Sequence, residues 1–258
     1  MKIIKEIYEY REMIISLVRK DLRGRYKGTM LGFLWTFINP LLQLCIYTIV
    51  FSTIMRAGIE QFYIFLFVAL VPWIFFSSCL VSGAAAVING QDLVKKIYFP
   101  RIVLPLAYVT SAFVNMLLTF IVVFAVLIIT NYGFNFQALL CLPVVMLVEY
   151  LLAIGIALIT SACTVYFRDL EHILGIVSMA WMYLTPILYS PEMIPERYRA
   201  LFNLNPLSSI IEAYRDILYY KAVPHMGTLI RATMIGFFVV IIGSILFNKL
   251  QKGFVEEM

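Results

Sequence analysis

Charge is scarce in this sequence. Only 14% of its 258 residues are Asp, Glu, Lys or Arg, against about a quarter in soluble domains. Catalytic motifs are missing as well. There is no GxxxxGK[ST] loop, so nothing cradles ATP phosphates. No HExxH or GxSxG run occurs, and no acidic pair is spaced for a metal; Asp92 and Asp169 lie on separate loops, each beside basic residues. Cys45, Cys79, Cys141 and Cys163 all fall inside apolar runs, with no CxxC pair and no neighbouring His. They read as small buried hydrophobes. His172 stands alone at a charged island and reads as a solvated loop residue. No loop is long enough to house a nucleotide-sugar site. An enzyme that builds or cuts is disfavoured, which leaves transport with its energy source on another chain.

What is abundant is apolar surface. Hydrophobic residues make up 62% of the chain and mean hydropathy is +0.92. The expected fold is an all-α integral membrane protein, a single transmembrane domain over residues 1–258 with no room for a separate soluble one. The first residues, MKIIKEIYEYREM, mix charged and apolar types and do not form a secretory signal. The net charge of +5 raises the question of nucleic acid. Its placement beside apolar spans fits the positive-inside bias of membrane proteins instead.

Residues 1–22 carry Ile3, Ile7, Tyr10, Ile14 and Val18 at spacings of three and four. That pattern predicts an amphipathic helix lying in the membrane interface. A basic linker completes residues 1–29. Its Arg23, Arg25 and Lys27 have two readings: positive-inside anchors, or a site for an anionic lipid headgroup. Spans are expected at 31–55, 62–88, 102–130, 138–167, 173–189 and 227–247. In the first, Thr36, Asn39, Gln43 and Tyr47 form a polar stripe, which faces protein or a polar pathway rather than lipid, and Pro40 is expected to kink the helix. The inner half of the second span is rich in small residues, and AIGIA at 153–157 is a close-packing motif in the fourth. Asn115 is expected to be the main buried polar group of the third span. Glu149 lies inside the fourth, where a carboxyl must be protonated or hydrogen-bonded to a neighbouring helix. On the fifth span Ser178, Met182, Thr185 and Tyr189 share a face, and Pro186 interrupts its outer end.

Between the second and third spans lies NGQDLVKKIYFP, and residues 89–101 form the strongest charged island in the middle of the chain. Arg168 and Asp169 begin a second, smaller island. Residues 190–225 carry four prolines and two short amphipathic segments, near 195–203 and 207–220. Neither crosses alone, so the pair reads as a re-entrant hairpin before the last span. Six spans put both termini on one side. Fourteen of the twenty Lys and Arg residues fall on that side, which assigns it to the cytoplasm. Arg56, Arg197, Arg199, Arg215, Lys221 and Arg231 are left on the other.

These stretches resemble, in order and spacing, the permease subunits of bacterial ABC transporters that export surface polysaccharides, the type-two exporters of O-antigen, capsule and wall teichoic acid. The resembling segments are RKDLRGRYKGTMLGFLWTFINPLLQLCIYTIVF at 19–51, VPWIFFSSCL at 71–80 and LVKKIYFPRIVLPLA at 93–107. They continue with VYFRDLEHIL at 165–174, YLTPILYS at 183–190 and NPLSSIIEAYRDIL at 205–218.

The resemblance implies a homodimer in the bacterial inner (plasma) membrane, working with two separate ATP-binding cassette subunits that hold the ATP and Mg. This chain would itself carry no cofactor, no metal and no nucleic acid. It implies that 89–101, with Asp92, Lys95, Lys96 and Arg101, is a coupling loop seated on the ATPase, with Arg168 and Asp169 as a second contact. The cargo would be a glycan or polyol phosphate on undecaprenyl diphosphate. On that reading Arg23, Arg25 and Lys27 meet the lipid diphosphate. The glycan then passes Trp35, Asn39, Gln43, Tyr47, Trp181, Thr185 and Tyr189, although the aromatics among these equally suit packing or an interfacial belt. Glu149 matches no family position. Two alternatives stay open: a drug or small-lipid exporter of the same architecture, and a polyprenyl-phosphate-processing membrane enzyme. A co-purifying ATPase separates transporter from enzyme; loss of surface glycan on deletion separates polysaccharide from drug export.

Overall fold

The structure is a computed structural model and describes residues 6, 8–25, 27–54 and 58–257. Ile3 and Ile7 of the expected stripe, Met55 at the expected end of the first span, and Arg56 lie outside these residues. Every regular element among the described residues is helical. Helix α1 (Arg11–Gly24) has no fully buried residue, but Tyr10, Met13, Ile14 and Leu17 pack against the rest of the chain. A 3-10 turn (Gly32–Leu34) leads into α2 (Trp35–Thr48), which ends in wide π-helical turns over Ile49–Ile54. Then follow α3 (Phe62–Val81), the short α4 (Ala86–Asn89) and α5 (Gln91–Lys96), α6 (Val103–Ile129), α7 (Phe136–Leu139), α8 (Leu142–Tyr166) and α9 (Leu170–Tyr183). The chain closes with α10 (Glu196–Leu204), α11 (Pro206–Leu218), α12 (Met226–Leu250) and α13 (Phe254–Glu257).

Helix α3 is apolar on every face, and such a helix belongs at the centre of a bundle. Every residue from Ile64 to Trp73 is buried. Hydroxyl pairs fasten its C-terminal end: Ser77 to Ser178 of α9 at 2.7 Å and Ser78 to Tyr108 of α6 at 2.9 Å. Thr110 of α6 pairs with Tyr150 of α8 at 2.8 Å. Such bonds give direction to helix packing where hydrocarbon supplies no hydrophobic drive. The AIGIA motif packs as its small residues require. A Cβ on Gly155 would lie 2.7 Å from the Val240 backbone nitrogen, and one on Gly243 would lie 2.6 Å from the Gly155 carbonyl. Helices α8 and α12 therefore touch backbone to backbone. Pro40 removes the N–H that would serve the Thr36 carbonyl in α2. The Thr119 hydroxyl of α6 donates to that carbonyl at 3.5 Å.

Among the described residues, five helical stretches are long and apolar enough to cross a bilayer: Gly32–Ile54, Phe62–Val81, Val103–Ile129, Phe136–Tyr166 and Met226–Gly253. The expected fifth span differs. Its helix, α9, has 14 residues, about 21 Å at the usual rise against a hydrocarbon core of about 30 Å. Pro186 lacks an N–H and disfavours helix at Thr185, so residues 184–190 run on as turns and extended backbone. The second span also ends early. Helix α3 stops at Val81, and Ser82–Ala85 turn before α4 begins. A Cβ on Gly83 would overlap the Cys79 carbonyl at 2.1 Å.

The hairpin covers the break in the fifth span. Asn205 caps α11, its Oδ1 accepting from the Leu207 amide at 3.1 Å, with Pro206 at the first helical position. Arg215, counted above as an outer-side charge, is 1% exposed. Its Nη1 donates to the Pro186 carbonyl, its Nη2 to the Ile187 carbonyl at 2.6 Å, and its Nε to the Phe65 carbonyl at 3.4 Å. Its guanidinium lies 3.6 Å from the Phe65 ring centroid. No carboxylate forms an ion pair with it among the described residues. The carbonyls freed where α9 stops, the negative end of that helix and an aromatic face hold the cation instead.

Two outcomes follow in detergent. Gly155→Ala should lower the thermal midpoint, since overpacking a close contact costs about 1–3 kcal/mol, or roughly 2–4 °C for each; Gly175→Ala, which meets nothing within 4 Å, should leave it unchanged. Arg215→Met keeps the stem but removes every donor, and each buried carbonyl left alone costs about 1–3 kcal/mol. Limited proteolysis should then cut within 184–190, a segment protected in the parent chain.

Candidate functional site

The predicted site residues fall into three groups, of which the charged loops and the basic residues before the first span lie at one end of the bundle. At the loop end, Asp92, Lys95 and Lys96 are exposed on α5. Val94 and Phe99 are buried and anchor α5 and the turn after it. Between them the backbone turns outward, leaving Tyr98 96% exposed and Ile97 more than half exposed. Arg101 does not face outward with the lysines. It is half-buried, donates to the Gln251 carbonyl and lies 5.9 Å from the Phe254 ring centroid. Arg168 and Asp169 are exposed, and Arg168 Nη2 donates to the Glu257 carbonyl at 3.4 Å. A cavity of about 500 Å³ opens here, lined by Tyr10, Tyr98, Arg101, Asn248 and Gln251 among others.

The three basic residues before the first span are placed differently. Arg23 and Lys27 are exposed. Arg25 turns inward: its Nε donates to Asp21 Oδ2 at 2.8 Å and its guanidinium lies 5.4 Å from the Tyr108 ring. Asp21 also accepts from Ser111 of α6. The pair pins α1 to α6. Arg25 also lines a cavity of about 200 Å³ between α2, α3 and α6, with Trp35, Thr36, Asn39, Ser78 and Asn115. Asn115 is half-buried there, whereas Ser111 and Thr119 are the fully buried polar groups of α6. The buried Thr36 Oγ1 has no hydrogen-bond partner.

The expected glycan-pathway residues divide. On α2, Trp35 and Asn39 are exposed while Gln43 and Tyr47 are half-buried. Beyond α9, Thr185 is fully buried. Trp181 Nε1 donates to Asn205 Oδ1 at 3.1 Å, and Asn205 Nδ2 donates to Thr185 Oγ1 at 3.0 Å. The Tyr189 hydroxyl donates to the Tyr183 carbonyl at 2.7 Å. Trp181 and Thr185 thus bond the residue that caps α11, and the Tyr189 ring lies 6.5 Å from that of Phe202 in α10. Trp181 lines an apolar cavity of about 470 Å³ with Leu184 and Phe202, separate from the one at Trp35 and Asn39.

Three participants went unread in the sequence. Asn205 had a visible signal, since Asn-Pro ahead of an apolar run is an N-cap signature. Asp21 had one too, because Asp21 and Arg25 stand at i, i+4 on one helix face. Arg215 had none beyond its place in an amphipathic segment. Glu149 is fully buried and accepts from the Tyr214 hydroxyl at 2.7 Å, while its Oε1 has no partner. Of the two readings left open for it, the bond to a neighbouring helix is present.

The chain matches the ABC-2 type transporter family over residues 12–219. It is 34% identical over 263 residues to the O-antigen export system permease protein RfbA of Myxococcus xanthus, covering all of both chains. It is 33% identical over 245 residues to the O-antigen export system permease protein RfbA of Klebsiella pneumoniae, covering 95% of this chain and 94% of the relative. The polysialic acid transport protein KpsM of Escherichia coli is 24% identical over 205 residues, 78% of this chain and 79% of that one. With a bundle of apolar helices, exposed charged loops at one end and similarity that runs the whole length, the chain belongs to the ABC-2 type transporter family.

Proposed function

We propose that this chain is the membrane-spanning subunit of an ATP-driven exporter of lipid-linked surface polysaccharide. The observation that carries the reading is the end-to-end similarity to permeases named for O-antigen export. Lacking a nucleotide loop of its own, the chain draws its energy from two ATPase subunits, and two copies of it enclose the path. The loop end faces the cytoplasm of a bacterial inner membrane. Exposed Lys95 and Lys96 on a helix anchored by Val94 present a basic surface to the ATPase. ATP binding closes the ATPase pair, and the 89–101 loop passes that movement to α3 and α6.

The cargo is a glycan on a polyprenyl diphosphate. Its anionic headgroup arrives beside Arg23, Arg25 and Lys27 at the mouth of α2. The cavity at Arg25 supports this, because it places a guanidinium beside Trp35 and Asn39 at one end of the expected path. Exposed Arg23 and Lys27 add charge that draws an anionic lipid to the interface, each worth roughly 1 kcal/mol near an anionic surface. The glycan follows the polar side of α2, between copies.

Orientation is tested by labelling from outside the cell in a background without the four native cysteines. Cysteine at Glu192 should react with an impermeant reagent; cysteine at Gln91 or Lys252 should not, and outside labelling at 91 would reverse the assignment. For function, deletion of the gene should abolish surface polysaccharide and the parent chain should restore it. Lys95→Glu/Lys96→Glu should insert normally yet lose ATPase association or export. Wild-type export and association in that variant would remove the coupling role of α5.

A further inference from the structure

Residues 251–257 follow the last span as a 3-10 turn (Gln251–Gly253) and the single turn of α13. They lie between two charged islands that are far apart in sequence. From one side comes Arg101, bonded to the Gln251 carbonyl and set against the Phe254 ring. From the other comes Arg168, bonded to the Glu257 carbonyl. Phe254 is fully buried, with Phe247 edge-on at 5.5 Å and Tyr166 at 6.2 Å. The Tyr166 hydroxyl donates to the Leu250 carbonyl at 2.8 Å. Gly253 passes so close that a Cβ there would lie 2.6 Å from the Tyr166 oxygen. Closing the end of α12 needs only the Tyr166 bond. The two arginine contacts add something else: they tie both islands to the same seven residues.

We propose that residues 251–257 join the 97–102 turn and the 167–169 segment into one docking face for the ATPase subunit, with Phe254 as its positioning residue. The proposal rests on the reading of 89–101 as the coupling segment. A loop transmits a push only as well as it resists bending. The 97–102 turn leaves α5 in extended conformation and contains Pro100, whose missing N–H removes one possible backbone bond. Its stiffness therefore comes from Phe99 beneath it and from Arg101, held by a carbonyl and a ring. The face so formed presents Tyr98 and Phe167, both largely exposed, among Lys95, Lys96 and Asp169. It fits an ATPase surface that offers apolar slots for two aromatic rings and carboxylates for the two lysines.

The test uses the permease–ATPase complex, in cells and in proteoliposomes. Phe254→Leu stays apolar and removes the ring face from Arg101, at the cost of a small buried cavity. It should insert and still bind the ATPase with a thermal midpoint lowered by no more than a few degrees, while surface polysaccharide falls about two- to fivefold, the scale of a cation–ring contact that keeps part of its solvent. Phe254→Tyr should export as the parent does. Amide exchange should rise at residues 97–99 and 168–169 together in Phe254→Leu, and likewise in Arg101→Met, which leaves the buried ring in place. Parental export in Phe254→Leu, or faster exchange at one island only, would overturn the proposal. If Lys95→Glu/Lys96→Glu still blocks export in that case, the coupling reading survives without the clamp. If that variant is silent too, the coupling reading falls and the proposal with it.

Discussion

A chain that leaves the helix inside a membrane must find donors for its own carbonyls, because hydrocarbon offers none. In this protein one guanidinium meets that demand. Pro186 ends the helical stretch that begins at Leu170, and Arg215 supplies the Pro186 and Ile187 carbonyls from the hairpin. The same side chain reaches the Phe65 carbonyl and covers the Phe65 ring near the start of the central helix α3. Pro186 shortens α9, and the Arg215 contact then ties the turn beyond it, the hairpin and one end of α3 together, with Tyr189 and Asn205 serving the Tyr183 and Leu184 carbonyls beside it. Breaking a buried pairing of this kind is far more damaging than never having had it.

The neighbouring residue extends the arrangement. Tyr214 bonds Glu149 of α8 and stacks on Phe120 of α6 at 5.6 Å. Tyr214 and Arg215, adjacent on α11, therefore hold different neighbours, and α11 becomes the node at which α3, α6, α8 and α9 meet. Near the loop end the pattern repeats with other partners: Asp21 takes Arg25 within α1 and Ser111 from α6. Buried polar groups here act across helices, in line with their direction-setting role in membrane packing.

Much of this was legible in the residues. Hydropathy located the apolar stretches, AIGIA announced the close approach of α8 to another helix, and four prolines marked the hairpin. What escaped was whatever depends on two distant segments at once. Arg215 looks like an outer-side charge until the carbonyls freed near Pro186 are known to lie beside it. Nothing near Trp181 and Thr185 in the sequence announces that both bond Asn205, some twenty residues later. Arg101 shares a loop with Lys95 and Lys96, yet its partners lie about 150 residues later. Periodicity reports which face of a helix is polar; it does not say which remote group that face meets.

The backbone contact between Gly155 and Gly243 divides the molecule mechanically. With no side chain between them, α8 and α12 cannot roll or slide past each other without parting, so they behave as one fixed stave. Helix α9 is held differently. Leu174 and Ser178 are its only fully buried residues, and much of its remaining surface faces away from the chain. Helix α2 buries only Thr36, Pro40 and Leu44, and its outer end is already wound into wide turns. Helices α3, α6, α8 and α12 thus hold one another closely, while α2 and α9 leave most of their surface open to whatever lies beside this chain.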